Sequence, residues 1–431
     1  MFLRFPNPAA RIGLVFAAFL VAAGLAYLSI RAAWAAHSVG LGTAAGYQTA
    51  VRLEPRNAAN WHLLGRYWQY TIEEPDAPRA VGYYRTALAL NPRSTDAWMD
   101  LAAAYESEGD SAAAADAFLQ AKRTYPLSAE LSWRYGNFLL RQGQIPQAFS
   151  EIRRAVYVDP KRSAEAFSRC WRVDPDIDAI LDNVLPPNAD GYLGVIRELG
   201  VDRQFSAGLT VWKRLVALHP RLNLEQATPF TNMLIQNHQI ADAHAVWDAA
   251  VSLSSVAPRF DPPDSLIWDG GFETGLRSGG FAWYFPPISG GMRVALDSRQ
   301  KQSGQQSLRL VFDGRHNVNF DGLCNYAEVR PGTSYLFSAW VRAQALTTNE
   351  GVRFRLTWPQ NSYSASLETP NVLGSQPWTR MEMSWTAPKD VHEVRVCVLR
   401  KASEKFDSQI QGTAWIDDVA LVPQSVGSLK P

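Results

Sequence analysis

The sequence predicts a multidomain chain: an apolar N-terminal helix, an all-α array of helical hairpins, and then an all-β sandwich. Three observations carry this. An apolar stretch without a charge runs from Ile12 to Ile30. A pattern of small and bulky residues then recurs with its prolines 34 residues apart, at Pro92, Pro126 and Pro160. Past a proline-rich stretch near Pro258, helical spacing gives way to alternation of apolar and polar residues. The boundaries that follow are a short N-terminus (1–11), the apolar helix (12–30), the array (40–255), a connector (256–265), the sandwich (266–423) and a tail (424–431).

The apolar stretch is long enough, at roughly 19 residues, to cross a hydrocarbon core as a helix. Arg4 and Arg11 precede it and Arg31 follows. Positive charge on the short N-terminal side predicts that this end stays in the cytoplasm and that the bulk is carried across. The expected location is the bacterial inner membrane, single-pass, with the bulk in the periplasm or outside. A cleaved signal peptide is the rival, because Ala33-Trp34-Ala35 has small-x-small character. The apolar run exceeds the roughly 7–15 residues usual for such a leader, which favours the anchor.

The array explains itself physically. Ala80-x3-Tyr84-x2-Ala87-x4-Pro92 is repeated as Ala114-x3-Phe118-x2-Ala121-x4-Pro126 and Ala148-x3-Ile152-x2-Ala155-x4-Pro160. The alanines let two helices approach, the bulky residue fills the gap, and proline, lacking an N–H, stops the helix. Upstream stand Trp61-x2-Leu64-Gly65-x2-Trp68 and Trp98-x2-Leu101-Ala102-x2-Tyr105, each marking one face of a preceding helix. Gly109 sits where that helix should end, since glycine adopts the left-handed cap cheaply. Tyr47, Ala50 and Pro55 read as the tail of a degenerate first unit, and Gly208, Trp212, Leu215 with Ala243, Trp247, Ala250 as later ones. Asp174-Pro175 and Pro186-Pro187 interrupt the pattern, and extra residues near Glu73-Glu74-Pro75 lengthen one turn. About five to six hairpins are expected over 40–255.

This spacing resembles the tetratricopeptide repeat (TPR). The resemblance implies a solenoid whose groove grips a protein partner and does no chemistry.

Composition excludes some classes. A formal net charge of +1 over 431 residues argues against a nucleic-acid binder, which would show a basic excess. Three cysteines make no disulfide framework. Cys324 and Cys397 either pair in an oxidising compartment or are buried thiols, and Cys170 has no obvious mate.

In the C-terminal region Tyr335, Phe337, Ala339 and Val341 alternate with polar or outward residues, as do Val352, Phe354 and Leu356, then Met381, Met383 and Trp385, then Val394, Val396 and Val398. Turns at Pro331-Gly332, Gly374-Ser375 and Pro388-Lys389-Asp390 separate them, the pattern of an antiparallel sandwich. In order, Asp269-Gly270-Gly271-Phe272-Glu273, Ser303-Gly304-Gln305-Gln306-Ser307-Leu308, Tyr335-x-Phe337-Ser338-Ala339-Trp340-Val341-Arg342 and Trp415-Ile416-Asp417-Asp418-Val419 resemble a jelly-roll carbohydrate-binding module of families four, nine and twenty-two.

Sugar rings stack a C–H face on aromatics and need polar partners for their hydroxyls. Trp283 and Tyr284, followed by Phe285-Pro286-Pro287, suggest a loop lip. Trp358 and Tyr363 flank a second expected loop, and Arg355 would stand on the outward strand face with Arg353 and Glu382. These are the candidate carbohydrate contacts, with a polysaccharide as ligand, while Trp340, Trp385 and Trp415 lie within strands and read as structural. The resemblance also implies one structural Ca²⁺, joining first and last strands through Glu273 and Asp417 with carbonyls near Gly304.

No catalytic signature stands beside these features. The chain has no H-E-x-x-H, Walker loop or G-x-S-x-G, and its histidines lack ligand spacing. The expectation is a non-catalytic, membrane-anchored envelope adaptor, of the kind that serves exopolysaccharide or cell-envelope assembly. The alternative is a pure protein scaffold whose sandwich is structural or touches proteins. An enzyme hidden in 161–200 is a third reading without a nucleophile–base set.

Overall fold

Each repeat needs a start, a stop and a close helix contact, and the side chains that supply them recur. The computed structural model describes residues 8–72, 74–256, 262–276, 279–285, 290–360 and 363–424. Among these are fourteen α-helices followed by nine strands. The chain divides into two compact units, Met1–Pro186 and Pro187–Pro431.

The first unit contains α1 (Pro8–Gly40), α2 (Ala44–Leu53), α3 (Ala58–Tyr70), α4 (Ala77–Leu90), α5 (Thr95–Ser107), α6 (Ser111–Thr124), α7 (Ala129–Arg141), α8 (Ile145–Val158), α9 (Ser163–Val173) and α10 (Ile177–Asn183). Side-chain oxygens of Asn57, Asp76, Ser94, Asp110 and Ser128 cap α3 to α7, satisfying first-turn N–H groups. Gly109 (φ +81°) and Gly143 (φ +72°) follow α5 and α7 in the left-handed conformation. Trp61 and Trp98 each donate an indole N–H to a proline carbonyl six residues earlier, Pro55 and Pro92, both at 2.9 Å. Ala80, Ala114 and Ala148 are wholly buried, as expected of the close-approach position. Gly65 lies against the ring of Tyr84, where a Cβ would meet carbon at 2.7 Å.

The irregular stretch also follows the sequence. α9 stops before Asp174-Pro175, α10 is only seven residues long, and Pro186-Pro187 precede the next helix. The burial of Cys170, with Asp174 adding to it, pushes this thiol up to about 12, so it stays protonated.

The second unit opens with α11 (Ala189–Val201), α12 (Phe205–Ala217), α13 (Leu224–Gln236) and α14 (Ile240–Leu253). Nine strands follow: β1 (Met292–Asp297), β2 (Ser307–Asp313), β3 (Phe320–Glu328), β4 (Ser334–Leu346), β5 (Arg353–Gln360), β6 (Tyr363–Glu368), β7 (Gly374–Thr386), β8 (Glu393–Arg400) and β9 (Gln411–Pro423). They form antiparallel sheets ordered β1-β2-β9-β4-β7 and β3-β8-β5-β6. The alternating residues Tyr335, Phe337, Ala339, Val341, Phe354, Leu356, Val394, Val396 and Val398 are at most 2% exposed and fill one core between the sheets. Phe337 meets Phe354 across it at 5.1 Å.

Cys324 and Cys397, directly opposed on β3 and β8, form a disulfide. Of the connector, residues 257–261 lie outside the described residues. α13 and α14 pack on the sandwich. Trp247 of α14 is 1% exposed and meets Trp268 edge-on at 5.5 Å, while Asn232 of α13 accepts the Gly280 N–H at 2.6 Å. His238 and His244 pair with Glu393 at 2.7 Å and Glu328 at 3.0 Å.

Candidate functional site

Along α3, α5 and α7 the repeat stride sets charged residues side by side. Arg66, Asp100 and Arg134 are 34 residues apart. Asp100 is buried in α5, and its carboxylate takes His62 at 2.8 Å, Arg134 at 3.0 Å and Arg66 at 3.6 Å. Arg134 also donates to Glu130 at 2.7 Å, and Glu130 takes Arg162 at 3.0 Å. Burial alone would raise the Glu130 carboxyl, but the hydrogen bonds from Arg134 and Arg162 hold it below its ordinary value. Arg162 and Arg169 lie over the ring of Trp133, at 5.2 and 4.9 Å.

The result is a row of half-exposed guanidinium groups on fixed helices, each oriented by a carboxylate or an aromatic ring. Guanidinium donors are planar and preset, so such a row can donate to carboxylate or amide oxygens. Separately, a cavity of about 490 Å³ between α4, α5 and α6 is lined by Arg85, Leu88, Trp98, Tyr105 and Gln120 among others. Sequence reasoning passed over Asp100. Its signal was an aspartate in a helix interior, where it is intrinsically unfavourable, two residues after a repeat tryptophan.

The sandwich residues separate. Trp283 is 3% exposed, packed at a tilt against Phe272 at 5.1 Å, and its indole donates to the Asp269 carbonyl at 3.1 Å. It belongs to the core, and no ring face is left for a sugar. Its neighbour Tyr284 pairs by backbone with Cys324, so the two side chains point to opposite sides, and Tyr284 is 42% exposed. Pro286 and Pro287 lie outside the described residues.

Trp358 lies within β5 rather than on a loop, and it packs half-buried against Trp385 at 5.1 Å. β5 and β6 pair as far as Gln360 and Tyr363, and Asn361 and Ser362 lie outside the described residues. The backbone of Tyr363 opens β6, and its side chain lies outside the described residues. Arg355 stands on the outward face as expected, but it is tied to Glu368 at 2.8 Å and to Asp321. Trp385 and Trp415 are buried structural residues. Trp415 donates to Asp297 at 3.0 Å beneath Arg342.

Glu273 and Asp417 reach one turn, residues 302–306. Glu273 Oε1 accepts the N–H groups of Gln305 (2.7 Å) and Gln306 (3.2 Å), and Asp417 Oδ2 those of Gln302 (2.8 Å) and Ser303 (3.2 Å). Gly304 (φ +59°) sits between them, where a Cβ would lie 2.1 Å from Glu273 Oε1. Burial, with Asp418 adjacent, pushes the Asp417 carboxyl up to about 6. Two hard oxygen donors on one turn suit a hard cation. As it stands, backbone hydrogen bonds already hold the turn. Among the described residues, the ligand atoms of His, Cys, Asp and Glu that gather in threes are those of Asp321, Cys324 and Cys397, and both cysteines are in the disulfide.

No curated protein matches the chain. Among solved structures it is similar to a family 16 carbohydrate-binding module, with 19% identity over 36% of this chain and 99% of that one, TM-score 0.28. It is also similar to the N-terminal endo-1,4-β-D-xylanase 10B of Clostridium thermocellum complexed with xylohexaose, with 13% identity over 32% of this chain and 26% of that one, TM-score 0.24. A third is YrrB, a TPR protein with an unusual peptide-binding site, with 15% identity over 49% of this chain and 93% of that one, TM-score 0.27. The tetratricopeptide repeat family model matches residues 76–129 and 108–165. With the caps, alanine contacts and tryptophan hydrogen bonds described above, α4 to α8 are tetratricopeptide repeats.

Proposed function

We propose that the chain is a non-catalytic, membrane-anchored adaptor whose repeats hold a protein partner and whose sandwich touches a polysaccharide during exopolysaccharide or cell-envelope assembly. The observation that carries the protein-binding half is the oriented guanidinium row, Arg66 and Arg134 on buried Asp100, then Arg162 and Arg169 over Trp133. Export is supported by the apolar α1 and by the Cys324–Cys397 disulfide, since such bonds persist in oxidising compartments. For the polysaccharide, the supports are the ordered sequence motifs of the sandwich and the exposed ring of Tyr284. The proposed contacts are then Tyr284, with Trp358 and Tyr363 on β5 and β6, while Arg355, on the opposite face of β5, would be a separate polar contact.

The burial of Trp283, Trp385 and Trp415 favours a second reading, in which the sandwich is structural or contacts proteins. Affinity electrophoresis of the detergent-solubilised full chain through gels containing bacterial and plant polysaccharides separates the two. Retardation in at least one gel supports the adaptor, and unchanged mobility in all of them supports the scaffold.

Calcium, on this reading, is held by Glu273 and Asp417 and staples the 302–306 turn to the turn at Glu273, before β1, and to β9. The melting temperature in calcium against chelator tests it. A rise that disappears in Glu273→Gln supports the site, and no rise removes it.

A further inference from the structure

α1 changes character along one uninterrupted run of helix. From Ile12 to Ile30 its large apolar side chains are 52–72% exposed, and none of the 18-residue window that defines the apolar span is buried by the protein. Within five residues of Ile30 the same helix enters the repeat array. Ala35 is 1% exposed and Ser38 3% exposed, and this end of α1 packs against α2. Gly46 of α2 presses on the Ser38 carbonyl so closely that a Cβ at 46 would lie 2.3 Å from that oxygen. The turn between the helices is tight: Gly42 (φ +67°) donates to Val39 at 3.1 Å, and Thr43 caps α2 through the Gly46 N–H. α2 carries Tyr47 and Ala50 of a unit's remnant and Pro55 follows it, and the end of α1 is the first helix which that unit needs.

We infer that α1 is one element with two roles, a bilayer anchor up to Arg31 and the first helix of the repeat array beyond it, so that the array begins in the lipid headgroup layer with no linker. The inference rests on the anchor reading of α1. At about 1.5 Å per residue, Ala35 stands only about 8 Å past Ile30, within the depth of the headgroup region. Trp34, 63% exposed, falls in that layer, where amphipathic rings settle, and Arg31 at its inner edge has a stem long enough to reach phosphate. Cleavage at Ala33-Trp34-Ala35 would cut through the continuous helix and remove Ala35, which is 1% exposed. Anchor and array therefore tilt together.

The test uses the full chain with a C-terminal tag. Membrane and soluble fractions are separated, the intact mass is measured, and hydrogen exchange is followed after reconstitution in lipid nanodiscs. The expected result is a membrane-bound chain of 47.9 kDa whose amides from 35 to 40 and 44 to 53 are slowed at least about a hundredfold. Gly46→Leu should abolish that protection, while Gly24→Leu, where nothing lies within 4 Å of the added Cβ, should leave it unchanged. A chain lacking the residues up to Ala35 overturns the inference. So does a membrane-bound, full-length wild type whose amides at 35–40 exchange freely, a readout that does not depend on either variant folding. An intact chain in the soluble fraction overturns the anchor reading instead.

Discussion

Gly280 lies flat against the indole of Trp247, so close that a Cβ at 280 would fall 2.2 Å from the ring. Its φ of +63° also disfavours any side chain. This contact seats α14 on the sandwich, with Trp268 and Phe281 completing the pocket for Trp247. Gly280→Ala is expected to cost about 2 kcal/mol or more, from overpacking plus backbone strain. Chemical denaturation of the full chain in detergent would read this as an earlier unfolding of the second unit. The same contact predicts that a fragment starting at 260 exposes Trp268 and Phe281 and aggregates, whereas one starting at 187 stays soluble.

Asp100 is the hub of the repeat face. Asp100→Asn keeps the shape and removes the charge that orients His62, Arg66 and Arg134. Because the arginines are half-exposed and regain water, the expected cost is about 1–3 kcal/mol rather than that of a stranded buried pair. Burial, and after it the Asp100 charge, raises the phenols of Tyr70 and Tyr84. In the variant the Tyr70 phenol should therefore titrate at lower pH, a shift readable by ultraviolet absorbance.

The array was legible because its units repeat one physical solution: alanine at the helix contact and proline at the stop, with glycine caps after α5 and α7. The sandwich was legible because a two-sided strand alternates. What escaped has no period. The end of α1 escaped because the sequence places the apolar helix at 12–30 and the array from 40, and residues 31–39 between them carry no repeat signature. The seating of α14 joins Trp247 to Gly280 across the connector, and a single long-range contact leaves no pattern. Trp283 looked like a loop aromatic because the segment around it makes one isolated bridge, Tyr284 to Cys324, too short to alternate. Trp358 looked like a loop residue because Pro359 follows it, yet β5 pairs with β6 through Pro359 and Ser364.

Asp297 gives the second unit an acid limit. The indole N–H of Trp415 holds its carboxyl below the ordinary value, backbone N–H groups of Arg299 and Gln300 and the Arg309 charge add to this, and burial opposes it. A carboxylate with a depressed folded pKa binds protons more tightly when unfolded, so its stabilisation is present above the unfolded pKa. It is lost as pH falls through the folded value. Unfolding followed from pH 6 to pH 2 should show that loss, and Asp297→Asn should flatten the profile while lowering stability at neutral pH by about 1–2 kcal/mol.

Trp283 and Tyr284 are adjacent and face opposite ways, which makes them a matched pair for testing the sandwich. Trp283→Ala opens a cavity beside Phe272 and removes one of the two donors to the Asp269 carbonyl, an expected loss of about 3–5 kcal/mol. Tyr284→Ala removes an exposed ring and should leave the melting temperature within a degree or two. If the sandwich stacks a sugar on Tyr284, this second change weakens retention in a polysaccharide gel by about tenfold, the scale of one lost aromatic contact. Unaltered retention in Tyr284→Ala places the sugar elsewhere on the sandwich. Retention lost only in Trp283→Ala, together with its stability, reports the fold and not the ligand.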